Sequence, residues 1–179
     1  LENSVIIEPF FDEIPQKYEF NSQIIGYFGK KNNQLGLLDM KGKTLVPFEF
    51  QNLIIWNDSS ALVQNKKNEW LFYFFYKAKD KTKKTEFKNV KVIAQNQESV
   101  FIVAQKYEAW GAWNGKKGMI VPHEFEQITN IGTTERPIFF AEKKAENKKR
   151  YQVMYYNREG KEIWSKVLNE ENYLRLICE

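Results

Sequence analysis

The sequence predicts an all-β protein built from tandem antiparallel β-meanders, and three observations carry that expectation. A pattern of one aromatic residue, two mostly polar residues and an aliphatic recurs five times: Phe11-Asp12-Glu13-Ile14, Phe50-Gln51-Asn52-Leu53, Phe87-Lys88-Asn89-Val90, Phe125-Glu126-Gln127-Ile128 and Trp164-Ser165-Lys166-Val167. Successive copies lie 39, 37, 38 and 39 residues apart. Such a period marks a repeat architecture whose units bury their apolar faces by stacking. Aromatic residues make up 16% of the chain, with 14 Phe and 9 Tyr, while Gly and Pro are sparse; this suits strands whose large side chains pack across a sheet. Short apolar runs are separated by polar, glycine-containing segments of hairpin length.

The elements of one unit are clearest where the second and fourth copies align without gaps at an offset of 75. Leu35-Gly36-Leu37-Leu38-Asp39 lies over Trp110-Gly111-Ala112-Trp113-Asn114, and Leu45-Val46-Pro47-Phe48-Glu49-Phe50 lies over Ile120-Val121-Pro122-His123-Glu124-Phe125. Between these blocks stand Met40-Lys41-Gly42-Lys43 and Gly115-Lys116-Lys117-Gly118, so the blocks read as two antiparallel strands. The proline cannot donate to a ladder and is expected at the strand end, where the chain turns off the sheet. The aromatic motif then leads into a third strand, at Leu53–Trp56, Val90–Ala94, Ile128–Ile131 and Val167-Leu168. After a turn rich in Asn, Asp, Ser and Gln, a fourth strand runs back at Ile24–Phe28, Ala61–Val63, Phe101–Ala104, Ile138–Ala141 and Tyr173–Cys178.

Leu35–Pro47 and Trp110–Phe125 resemble the WG-repeat (KWG-repeat) family, whose units run tryptophan-glycine-aliphatic-aliphatic-aspartate, a lysine-glycine turn, an aliphatic pair and proline, then an aromatic before an aliphatic. The fourth copy matches well, and the second differs in having Leu35 for the tryptophan. Trp70-Leu71 keeps the tryptophan without the glycine, Val153-Met154 loses both, and the first copy begins at Val5, inside a unit. The resemblance covers the whole chain by period and about two units by identity. It implies a bacterial all-β repeat protein, favours an extracytoplasmic or envelope setting, and brings no catalytic residues with it.

Residues 1–179 are therefore expected to form a single array of about five units of about 38 residues. Four short strands per unit suit the blade of a β-propeller-like ring, and an open β-solenoid is the alternative. The chain opens inside one unit and closes inside another, so its ends can pair to complete a ring. No basic-then-apolar leader follows Leu1, as expected of a processed or excised chain.

Composition narrows the function classes. The formal charge is +4, from 27 Lys and Arg against 23 Asp and Glu, with both signs interspersed; this favours solubility over polyanion binding. The longest apolar run, Trp70–Tyr76, is far short of the roughly 20 residues that span a bilayer as a helix. One cysteine, Cys178, allows no intramolecular disulfide. His123 is the only histidine, and its repeat-equivalent is Phe48, which marks a structural position. A zinc set is not expected, no nucleophile-elbow or phosphate-loop motif occurs, and no catalytic residue or cofactor is assigned. The Trp110-Gly111 pair is read as packing: the equivalent of the tryptophan is Leu35, and Gly36 and Gly111 admit a close neighbour.

Phe11, Phe50, Phe87, Phe125 and Trp164 are expected in equivalent, largely buried places. Two basic segments, Lys77–Lys84 and Lys143–Arg150, join different pairs of strands and should emerge at opposite ends of the meander, which disfavours one nucleic-acid track. The expected function is a non-catalytic protein-interaction or scaffold module, with an immunity or anchoring role as its specific form. Variable connections supply the contact residues: Lys81, Lys83, Lys84, Thr133, Arg136, Lys148 and Arg150. The alternative is a cell-wall carbohydrate-binding module that uses Trp56, Trp113 and Tyr155 as exposed rings.

Overall fold

A computed structural model of the protein describes residues 11–20, 23–96, 98–145 and 149–178. Lys148 and the residues from Val5 to Phe10 lie outside this set. The chain divides into two compact units, Leu1–Glu86 with Gln97–Ser99, and Phe87–Asn96 with Val100–Glu179.

Each unit holds two four-stranded antiparallel meanders. In the first unit, β1 (Gln16–Phe20), β2 (Gln23–Lys31), β3 (Gln34–Asp39) and β4 (Thr44–Phe50) form the first sheet, in that order. The second sheet is β5 (Asn52–Asn57), β6 (Ser60–Gln64), β7 (Trp70–Phe74) and β8 (Thr82–Lys84). In the second unit, β9 (Phe87–Gln95), β10 (Val100–Lys106), β11 (Ala109–Asn114) and β12 (Gly118–Phe125) form the third sheet. The fourth is β13 (Gln127–Asn130), β14 (Phe139–Lys144), β15 (Arg150–Tyr156) and β16 (Glu162–Asn169), followed by the helix α1 (Glu170–Cys178).

The sheet boundary falls at the aromatic motif, not at the glycine-bearing strand. Phe50 and Phe125 end one sheet, and the next begins two residues later. Phe87 opens β9 directly. The junction rings pack edge-on against a third strand, on the residue just before the turn: Phe50 on Tyr73 and Phe125 on Tyr156 of the sheet that follows, and Phe87 on Trp113 of its own sheet, with centroids 5.9, 6.0 and 5.3 Å apart. Phe11 precedes the first sheet and meets Phe48 of β4 at 5.6 Å. The Phe50 and Phe125 contacts tie the two sheets of a unit into one core. Leu37, Val46 and Phe50 of the first sheet share theirs with Ile55, Ala61, Val63 and Tyr73 of the second. Phe101, Ala112, Val121 and Phe125 of the third share theirs with Ile128, Phe139, Ala141, Met154 and Tyr156 of the fourth.

The glycine and proline of the repeat form a single device. Leu35 pairs with Phe50 and Leu37 with Val46, so three residues of β4 bulge opposite Gly36. Pro47 sits in that bulge and the strand runs on for three residues beyond it, which corrects the expected strand-ending proline. A bulge on an edge strand is one of the few places in a sheet that accept a residue without an N–H. The bulge also aims Phe48 at the bare Cα: a Cβ on Gly36 would lie 2.7 Å from the Phe48 ring. The third sheet repeats this with Trp110, Ala112 and the bulged Pro122-His123-Glu124, where a Cβ on Gly111 would lie 2.8 Å from the His123 ring.

The hairpin that follows is organised by an Asx side chain. Asp39 Oδ1 accepts from Lys41 N and Lys43 N at 2.9 and 2.8 Å. Asn114 Oδ1 accepts from Lys116 N and Lys117 N, and Asn157 Oδ1 from Glu159 N and Lys161 N. Gly42, Gly118 and Gly160 then take φ values of 82°, 82° and 80°, where a Cβ is disfavoured. In the second sheet Phe74 stands where the Asx is expected, and a longer connection, 75–81, replaces the tight turn.

Two expectations fail at the C-terminal end. Trp164 is 39% exposed, because it is four residues out of register with the other copies. It pairs with Tyr155 as Val46 pairs with Leu37 and Val121 with Ala112, so it holds the place of a valine. Tyr173–Cys178 is helical rather than a strand. Asn169 Oδ1 caps the helix by accepting from Asn172 N at 2.9 Å, Glu170 and Glu171 complement the positive end of the dipole, and Glu171 pairs with Arg175 one turn on. The Tyr173 ring stacks on Tyr151 at 3.9 Å, and its hydroxyl donates to Glu142 Oε2 at 2.7 Å.

Gly36→Val or Gly111→Val should lower stability by about 1 to 3 kcal/mol despite the strand propensity of valine, measured by chemical denaturation; an unchanged midpoint would refute the close packing. Phe125→Ala, at a position 1% exposed, should cost about 3 to 5 kcal/mol, and Trp164→Ala clearly less.

Candidate functional site

The residues expected to contact a partner fall in both units. Lys81 lies in the connection before β8, and Lys83 and Lys84 on β8 itself, all exposed in the first unit. Lys84 pairs with Glu69, whose carboxyl is held below the usual range by that bond. In the second unit, Thr133 and Arg136 share the eight-residue connection from β13 to β14, whereas Arg150 begins β15. The six residues of β14 separate them by about 20 Å at strand rise. Within the second unit, Thr133 and Arg136 lie together and Arg150 apart.

Their connection is preorganised. Arg136 N donates to Thr133 Oγ1 at 3.0 Å, Ile131 N to Ile138 O at 2.9 Å, and Asn96 Nδ2 to Thr134 O at 3.2 Å. At its base Asn130 Oδ1 accepts from Gly132 N and Ile138 N, while Asn130 Nδ2 donates across to Ile93 O of β9 at 3.3 Å. One amide thus fixes both the loop and the approach of β13 to β9.

Beside Asn130 lies a cleft of about 440 Å³. One wall comes from the third sheet: Lys91 and Ile93 of β9, Val103 of β10 and Trp110 of β11. Glu126 and residues 127–130 of β13 form the other. Trp110, read from the sequence as packing, is half-buried and lines this cleft, with Lys91 Nζ 5.4 Å from its ring centroid. Glu126 Oε1 accepts from Lys144 N at 3.4 Å, and Gln127 Nε2 donates to Thr129 Oγ1 at 3.2 Å. An aromatic face, one ammonium, one carboxylate and neutral hydrogen-bonding groups therefore share a concave site.

Sequence reading missed this cleft, yet the offset of 75 carries its signal when extended beyond the WG segment. Lys91 pairs with Val103 as Gln16 pairs with Phe28, and Trp110 with Phe125 as Leu35 with Phe50. Thr129 and Asn130 stand where the first unit has Ile54 and Ile55. The second unit has a valine for a phenylalanine and polar groups for apolar ones, along one line.

The rings named for a carbohydrate platform do not form one. Trp56 is 6% exposed and packs edge-on to Phe72. Trp113 is half-buried between Phe87 and His123, and Tyr155 is stacked on Trp164.

His123 has a defined structural task. Trp113 Nε1 donates to His123 Nε2 at 2.9 Å, which leaves the ring proton on Nδ1, 3.4 Å from Ala109 O. Burial pushes its pKa below the ordinary 6.5, Lys106 adds to the lowering, and the Ala109 carbonyl opposes it. Among the described residues no group of three or more His, Cys, Asp or Glu could hold a metal ion, and no helix is long and apolar enough to cross a membrane.

No protein-family model and no curated protein matches the chain. Among solved structures it is similar to the hydrazine synthase of Kuenenia stuttgartiensis, at 9% identity and a TM-score of 0.35 over 93% of this chain and 53% of that one. It is also similar to a quinonprotein alcohol dehydrogenase-like protein of Bacteroides thetaiotaomicron, at 10% identity and a TM-score of 0.34 over 86% and 45%. The chain spans about half the length of each, and at these scores neither likeness bears on activity.

The His123 geometry sets a pH dependence. The unfolded chain takes up a proton near pH 6.5 and the folded chain only at lower pH. Stability is therefore complete above about 6.5 and declines as pH falls through the lower folded pKa. Urea midpoints between pH 8 and 5 should fall on the acid side for the native chain, and His123→Phe, which installs the sister residue, should flatten that limb; equal slopes would refute the assignment.

Proposed function

We propose that the chain is a non-catalytic interaction module, a scaffold of bacterial WG-repeat type that docks another protein through the 131–138 connection, in an immunity or anchoring role. The supporting observation is the contrast between constant framework and variable connection. The corresponding connection has two residues in the second sheet, four in the third and eight in the fourth. The longest one is held by its own hydrogen bonds, with Thr133, Thr134, Glu135 and Arg136 exposed. A preordered loop loses little entropy on binding, and strand faces are already committed to sheet packing. A second reading, a carbohydrate-binding module, is favoured by the Trp110 cleft rather than by Trp56, Trp113 and Tyr155.

Replacing residues 131–138 with the Asp58-Ser59 turn of the second sheet tests the docking reading. Quantitative pull-down from the source organism should lose one partner that the native chain captures, with the thermal midpoint nearly unchanged. The native interaction should also weaken with added salt, since Arg136 steers the encounter. An unchanged partner list would refute loop docking.

A further inference from the structure

We propose that the Trp110 cleft is a saccharide site, taking a pyranose ring that is neutral or carries a single carboxylate. This rests on the binding-module reading but not on the 131–138 connection. The lining decides the class of ligand. Lys91 and Glu126 supply one charge of each sign, so a nucleotide or other multiply charged anion would enter without compensation. A quaternary or primary ammonium ligand would seek the indole face, but Lys91 Nζ already stands over it and would repel a second cation. A purely apolar ligand would desolvate the Glu126 carboxylate and the remaining hydrogen-bonding capacity of Gln127 and Thr129 with nothing in exchange, at a cost.

A pyranose satisfies each part. Its axial C–H bonds are weakly positive and lie flat on the negative π face of an indole, and its equatorial hydroxyls both donate and accept, matching Glu126, Gln127 and Thr129. At 5.4 Å from the centroid the ammonium does not seal the ring, and the flexible lysine stem lets it turn to a sugar hydroxyl or carboxylate. The volume of about 440 Å³ lies within the range of roughly 300 to 1,000 Å³ that small-ligand sites occupy. The sister unit is the internal control: at the corresponding places it has Gln16, Phe28, Leu35, Gln51 and Ile54, a set without the ammonium, the indole or the carboxylate.

The test uses the full chain, isothermal titration and saturation-transfer NMR, with four probes: chitotetraose, a galacturonic acid trisaccharide, ATP and acetylcholine. Three variants install sister residues and so keep the strand framework: Trp110→Leu, Lys91→Gln and Thr129→Ile. At least one oligosaccharide should bind the native chain at concentrations up to about 5 mM. Trp110→Leu and Thr129→Ile should each weaken it by about tenfold or more, and Lys91→Gln should weaken galacturonate selectively. A variant with Glu135→Ala and Arg136→Ala, which keeps the Gly132 and Ile138 bonds to Asn130, should bind sugar as the native chain does, so failure here and failure of loop docking are read separately. Absence of binding by both oligosaccharides, binding unaltered in Trp110→Leu and Thr129→Ile, or ATP or acetylcholine binding that these two variants abolish would overturn the proposal.

Discussion

The fold depends on one ring at each sheet junction. A four-stranded meander is too thin to bury both faces, so it is stable only when the next meander lies against it. The junction aromatic makes that packing specific. Phe50 and Phe125 are the last residues of their sheets yet put their rings against the third strand of the next, so their burial couples the two sheets of each unit. Phe87, the first residue of β9, packs on the third strand of its own sheet.

That constraint explains which parts of the chain repeat and which do not. The third-strand partner must be a ring, hence Tyr73, Trp113 and Tyr156 despite their different sequence surroundings. The glycine of the WG pair is required only where a bulge aims a side chain at it, in the first and third sheets. In the second sheet Lys84 pairs with Leu71 without that bulge, and Leu71 replaces the glycine. The two-sheet unit, at an offset of 75, is therefore a second level of repeat above the meander of about 38 residues, and it accounts for the copies that look degenerate.

The β class, the hairpins and the packing of Gly36 and Gly111 were legible in the sequence, because each rests on local chemistry: strand composition, turn residues and a glycine opposite a bulge. What was not legible depends on tertiary register. The aromatic-x-x-aliphatic spelling at Trp164 matches the other copies, but pairing with Tyr155 places it four residues away from the junction position. The helix at Glu170–Cys178 follows Asn169 as a cap, a signal overridden by the expectation of another strand. Trp110 was read as packing because Leu35 is its equivalent, and only the simultaneous changes at Lys91, Val103, Thr129 and Asn130 reveal a cleft.

In the fourth sheet the face turned away from the third carries a different set of side chains. In the first and third sheets a cross-strand row, Phe28-Leu37-Val46 and Val103-Ala112-Val121, faces the shared core. The same row in the fourth sheet is Phe140-Tyr155-Trp164, three rings in contact, with Phe140 tilted against Tyr155 and Tyr155 stacked on Trp164. Beside it the helix covers Tyr151, Val153 and Leu168 through Tyr173. Rings across strands bury much of their own area against each other, and the docked helix covers the row's neighbourhood. The other face of the fourth sheet still packs on the third, which leaves the edge at β13 as the place where this unit departs from its sister. The polar cleft and the long connection both lie there, next to Asn130, whose amide ties the connection to β9.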